Sequence, residues 1–167
     1  TRLRGGAAAQ YYNGNIYVSH GNQGGQGEHA TSLSYFDRYN IANEQWTALP
    51  DAQFPRDQTG AAIVAGSWFC VAGGRDGGVA DFFNAVVLAT ECYNLLDGDN
   101  GVWTTKANIT QGRSASAYGT TCDGKLMVAG GEGFGKAWKN VDVFDGETWT
   151  AFPDLKQKRH GTGLAVS

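Results

Sequence analysis

Residues Phe69–Gly74 read FCVAGG and residues Leu126–Gly131 read LMVAGG, so VAGG closes two short apolar runs 57 residues apart. Self-similarity at a fixed period is the mark of a repeat architecture, and it outranks local propensity in deciding a fold. Arginine supplies the ruler. Arg4, Arg56, Arg113 and Arg159 each open a run of small residues and strand formers (GGAAAQYY, DQTGAAIV, SASAYGTT, HGTGLAVS), at spacings of 52, 57 and 46. From the first three arginines, the second glycine of the motif lies 17, 18 and 18 residues on, at Gly21, Gly74 and Gly131. The first copy reads VSHG, with His20 standing where the others have Gly73 and Gly130.

A tryptophan follows in every copy: Trp46 (EQWTALP), Trp103 (GVWTTKA) and Trp149 (ETWTAFP). Aromatic-bearing runs, SLSYFDRYN, LATECYN and VDVFDG, lie between glycine and tryptophan. Each copy thus holds four strand candidates of about five residues, the usual strand length. Asn13-Gly14, Ala65-Gly66 and Asp123-Gly124 join the first two strands. Asn-Gly and Asp-Gly are strong hairpin signals because both central residues must take positive φ. A unit of about 50 residues holding a four-stranded antiparallel meander is the signature of a propeller blade.

Composition agrees. Twenty-five glycines, three prolines and 41% hydrophobic residues in 167 suit many short strands around a packed core. A net charge of −3, with Lys156–Arg159 as the only basic cluster, argues against a nucleic-acid surface. No apolar run is long enough for a transmembrane helix.

The order of arginine, turn glycine, apolar run, Gly-Gly, aromatic strand and tryptophan resembles the Kelch repeat along nearly the whole chain. The resemblance implies an all-β propeller of Kelch type with four-stranded antiparallel blades, of which residues 1–167 hold a partial ring. The blades cover approximately 4–55, 56–112 and 113–158, followed by the first strand of a fourth at 159–167. Propellers close with four to eight blades. The chain starts and stops at one phase of the repeat, as an excerpt of a longer chain would. Further blades of the same chain, or a second chain forming six blades, would cover the exposed faces. In Kelch propellers the innermost strand of a blade is at times supplied from the opposite terminus.

The repeated Gly21, Gly73, Gly74, Gly130 and Gly131 read as structural, allowing close backbone approach and tight strand exits. Trp46, Trp103 and Trp149 read as packing between blades, because a blade cannot bury both faces alone. Binding is expected on the face where the loops after strands two and four emerge, at 22–32, 75–84 and 132–140. These carry Arg75, Phe82, Phe83, Phe134 and Trp138; exposed aromatics are good protein anchors. The resemblance adds Arg4, Arg56, Arg113 and Arg159, since arginines at that position can line a pocket for acidic peptides. An intramolecular salt bridge is the competing reading.

Catalytic and metal signals are weak. His20, Glu28 and His29 lack a known ligand spacing. Asp97, Asp99 and Asn100 match a calcium loop poorly, with Asn108 where a glutamate belongs. Gly73–Gly78 lacks the lysine of a phosphate loop. No cofactor is expected. The expected function is a non-catalytic module for protein interaction or assembly. The alternative is a fragment of a propeller enzyme, sugar-modifying or resembling copper-radical oxidases, with its catalytic residues elsewhere. Such oxidases crosslink a cysteine to a tyrosine; Cys92 adjoins Tyr93 here, without the accompanying Tyr-His-His cluster. Cys70 and Cys92 fall on neighbouring strands within reach of a disulfide, and Asn108-Ile109-Thr110 is a glycosylation acceptor pattern. These features lean towards a secreted glycoprotein that holds a protein or a glycan; a cytosolic adaptor is the rival.

Overall fold

The computed structural model describes residues 2–24, 31–77 and 85–165. The first repeat contributes β1 (Ala8–Tyr12), β2 (Asn15–Ser19), the two-residue β3 (Asn22–Gln23) and β4 (Thr31–Ser32), then β5 (Phe36–Asn40) and β6 (Gln45–Leu49). The second contributes β7 (Gly60–Val64), β8 (Trp68–Ala72), β9 (Thr90–Asn94) and β10 (Trp103–Lys106). The third contributes β11 (Ala117–Thr120), β12 (Leu126–Ala129), the short β13 (Glu132–Gly133) and β14 (Lys136–Ala137), β15 (Val141–Phe144) and β16 (Trp149–Phe152). Each repeat folds into one four-stranded antiparallel meander: β1-β2-β5-β6, β7-β8-β9-β10 and β11-β12-β15-β16. The first-strand turns form as read in blades one and two, whereas in blade three only Gly124 of the Asp123-Gly124 pair takes positive φ (75°) and five residues join Thr120 to Leu126. Asn13 and Gly14 have φ 45° and 75°, and Ala65 and Gly66 have 47° and 82°, the left-handed pair of a tight hairpin.

The blades stand side by side along their first strands, where β7 touches both β1 and β11. Two bonds stitch these strands across the blade boundaries: Gln10 Nε2 donates to the Ala61 carbonyl (2.7 Å), and the Ile63 amide donates to Thr120 Oγ1 (3.2 Å). The middle blade is buried on both faces, which explains why GAAIV and WFCVA run apolar without alternation. Tyr17 and Phe36 of the first blade meet Phe69, Tyr93 and Trp103 of the second. Cys70, Cys92 and Val64 meet Leu126, Val128 and Phe144 of the third.

Three local features differ from the sequence reading. LLDGDN, read from sequence as a polar turn between the third and fourth strands, is a 3-10 turn (Leu95–Asn100), started by the Asn94 side chain accepting from the Leu96 amide (3.2 Å). The loops after the second strands of blades one and three are pinned into small hairpins, β3–β4 and β13–β14. Pairs of two residues leave no periodicity to read. Residues 159–165 form no strand among the described residues. A first strand takes its ladder from a second, and no described strand pairs with this segment.

Candidate functional site

The repeated arginines decide which surface is available. Arg56 is fully buried, its Nη2 2.6 Å from Glu91 Oε2. Its Nη1 donates to the carbonyls of Gly73 (3.0 Å) and Ala89 (2.7 Å). Arg113 is fully buried too, its Nη2 2.6 Å from Asp142 Oδ2 and 3.1 Å from the Val128 carbonyl. Arg4 Nη1 lies 2.5 Å from Asp37 Oδ2, and its Nη2 donates to the Val18 carbonyl (2.9 Å). Asp37, Glu91 and Asp142 are each the second residue of their blade's third strand. One device, an arginine just before strand one paired with a strand-three carboxylate, therefore recurs in all three blades. The expectation that Arg4, Arg56 and Arg113 line a partner pocket is corrected: their guanidinium groups are consumed inside the blades. Arg75 is also buried, with Asp57 Oδ1 at 3.5 Å and Glu132 Oε1 at 3.6 Å. Arg159 alone of the repeated arginines has an exposed side chain.

The arginine backbones carry a second device. The second-glycine amide of each blade donates to the next arginine carbonyl: Gly21 to Arg56 (2.9 Å), Gly74 to Arg113 (2.9 Å) and Gly131 to Arg159 (2.8 Å). The first position of each pair sits in the left-handed region, with φ 65° at Gly73, 64° at Gly130 and 58° at His20. A Cβ would meet the Arg113 carbonyl at 2.7 Å from Gly73, and the Arg159 carbonyl at 2.5 Å from Gly130. His20 keeps the conformation and fills the interface instead. Its ring lies edge-on to Trp103 (5.8 Å), Nδ1 is 3.0 Å from Ser19 Oγ, and Nε2 is 3.8 Å from Glu91 Oε2. Burial holds it neutral, with its pKa down at about 4. Burial works against the Glu91 carboxylate, yet His20, Arg56 and the Gln53 amide hold it below the ordinary range.

The tryptophans divide. Trp103 Nε1 reaches back to the Pro50 carbonyl of blade one (2.9 Å), and Trp149 Nε1 to the Ala107 carbonyl of blade two (3.0 Å). Trp46 is 42% exposed and packs on Tyr39 of its own blade (5.0 Å). Among the described residues nothing stands on its outer side.

On the loop face, Phe134 caps the β13–β14 turn at φ 53° and is 51% exposed. Trp138 follows, half-buried, with an indole N–H that has no acceptor among the described residues. Glu132, Lys136 and His160 border a cavity of about 230 Å³ beside this turn. Glu132 Oε2 lies 3.2 Å from His160 Nδ1. Phe82 and Phe83 lie outside the described residues, as do Glu28 and His29 of the glycine-rich loop.

Cys70 and Cys92, directly opposite on β8 and β9, form a disulfide. Cys92 sulfur is thereby committed to Cys70, while Tyr93 is buried with its hydroxyl donating to the Gly98 carbonyl (2.7 Å). Asn108 is exposed, two residues after β10. Among the described residues no group of three or more His, Cys, Asp or Glu is placed to hold a metal. No helix there is long and apolar enough to cross a membrane.

Three meander sheets packed face to face, tied by these devices, define consecutive blades of a β-propeller. No protein-family model matches the chain. It is 29% identical over 142 residues to the Kelch-like protein terF of Aspergillus terreus, a match covering 81% of this chain and 29% of terF. The solved structure of YjhT matches with a TM-score of 0.72 at 16% identity, over 94% of this chain and 54% of that one. The chain thus spans under a third of the fungal relative and about half of YjhT. It resembles Kelch-repeat proteins and has the all-β fold of a partial propeller.

Proposed function

We propose that the chain is a non-catalytic Kelch module that holds another protein on its loop face, in an oxidising compartment outside the cell. The exposed Phe134 at the tip of a short, pinned hairpin carries this reading. An aromatic on a fixed turn buries much area at low entropic cost, the chemistry of an interface anchor. Trp138, half-buried, and the exposed Arg159 beside it extend the surface. With Arg4, Arg56 and Arg113 buried, the partner is held by aromatic contact and a single exposed arginine rather than by an arginine-lined acidic pocket.

Two features support the proposed compartment. The Cys70–Cys92 disulfide persists where thiols are not kept reduced. Asn108 is exposed within Asn-Ile-Thr, as a glycan acceptor must be. The test is affinity capture from the extracellular fluid of the source with the unaltered protein, with Phe134→Ala and with Phe134→Ala/Arg159→Ala. A partner lost from both variants at unchanged Tm supports the reading; equal recovery by all three overturns it. Intact mass with and without glycosidase checks Asn108.

A further inference from the structure

The Cys70–Cys92 disulfide forms one wall of a cavity of about 260 Å³ at the boundary of blades two and three, bordered also by Trp68, Lys106 and Glu147. Strand pairing puts these side chains in order. Cys70 lies opposite Cys92, and Cys92 opposite Thr104, so the disulfide and Thr104 share one row across β8, β9 and β10. Trp68 and Asn94 form the row on one side of it, and Thr90 and Lys106 the row on the other. These rows face blade three. Cys70 and Cys92 pack with Leu126, Val128 and Phe144, and Thr90 Oγ1 accepts the Trp149 indole N–H (3.1 Å).

Lys106 begins in one flanking row and ends at the other. Its Nζ lies 5.5 Å from the centre of the Trp68 ring and 2.7 Å from Glu147 Oε1 of blade three. The side chain therefore crosses the disulfide row and roofs it. Beneath it Cys70 and Cys92 are 0% and 1% exposed, whereas Thr104, the next position in their row, is open to solvent. The roof is held lightly, because the Glu147 side chain is 78% exposed and an ion pair in water is weak.

We infer that Cys70–Cys92 is a thiol-exchange site, gated by Lys106, for a small-molecule dithiol. The thiolate of the dithiol attacks one cysteine sulfur from the cavity. The S–S bond breaks, and its electron pair leaves on the other cysteine as a thiolate. A cation beside the leaving sulfur lowers its pKa and speeds its departure, and Lys106 is the cation that borders the cavity. The second thiol of the dithiol then displaces the first cysteine from the mixed disulfide. The dithiol departs as a cyclic disulfide, oxidised by two electrons, and its two protons end on Cys70 and Cys92. A cavity of this size admits a small molecule and not the active sulfur of a protein reductant. The inference is independent of the loop face.

The test is reduction of the folded full chain by dithiothreitol at neutral pH, with the exposed Cys122 thiol blocked beforehand. Alkylation over time, read by intact mass, gives the rate at which the disulfide opens. In the unaltered protein that rate should be proportional to dithiothreitol and unchanged by urea below the unfolding transition. Glu147→Gln frees the ammonium and loosens the roof, and should react about threefold faster. Lys106→Met keeps a covering chain without its charge, and should react about threefold slower. Both variants break the same ion pair, so a merely structural bridge would move the two rates in the same direction, and that result overturns the inference. So does a rate in the unaltered protein that follows the unfolded fraction as urea rises. Opening by a protein dithiol as fast as by dithiothreitol overturns it as well.

Discussion

Replacing Glu91 by glutamine keeps the shape of the side chain and an acceptor for the Gln53 amide, but strips the counter-charge from a fully buried Arg56. At an effective dielectric near 20, unit charges at the observed 2.6 Å attract by roughly 6 kcal/mol. Desolvation has already offset part of this, and removing one partner of a buried pair costs about 3–5 kcal/mol. For a chain of this length each kcal/mol moves Tm by about 2–4 °C, so the variant should melt about 6–20 °C lower. Thermal unfolding followed by circular dichroism measures it. The double variant Arg56→Met/Glu91→Leu, which removes both charges and retains the volume, should recover most of the loss. A Tm within about 2 °C of the parent for Glu91→Gln would refute the reasoning, because Arg56 would then have another place for its charge.

Three further outcomes are expected. Cys70→Ala/Cys92→Ala releases a crosslink across 22 residues, lowering stability by about 3 kcal/mol on the chain-entropy account, read from denaturant unfolding against the oxidised parent. Gly130→Ala drives a methyl into the Arg159 carbonyl at a left-handed position, and should cost about 1–3 kcal/mol while leaving the exposed Gly14 turn as a milder control. His20 titrates at about 4 folded against 6.5 unfolded, so the unfolded chain binds the proton first. Its contribution of about 3 kcal/mol is complete above pH 6.5 and is lost as pH falls towards 4; Glu91, Arg56 and Arg4 are the charges around it. His20→Gly should flatten the dependence of Tm on pH across that window.

The blades were legible because the landmarks that repeat in the sequence are the ones that repeat in space. Gly74 and Gly131 recur where a strand exits against the next blade, and the arginines recur where each blade begins. What the arginines do was harder to see. Their partners, in FDR, TEC and VDV, follow 33, 35 and 29 residues after Arg4, Arg56 and Arg113. That signal was present, but loop lengths between strands blur its spacing, and a lone arginine in a strand-like run reads equally as surface or interior. The exposure of Trp46 was not legible at all, because its sequence setting matches that of Trp103 and Trp149. The difference lies in which neighbour is there. The loop aromatics were found by residue type alone, and Phe134 needed the two-residue β13–β14 pairing to fix where its ring points.

The most direct test of the account, in which the repeated arginines build the blades and leave the loop face to bind, is selective arginine modification. Phenylglyoxal would be applied to the folded protein and the sites quantified by peptide mass spectrometry. Arg159 should modify at the rate of an open side chain, while Arg56 and Arg113 should stay protected until the protein unfolds. Modification of Arg56 and Arg113 at the rate of Arg159, with the fold intact, would contradict the account.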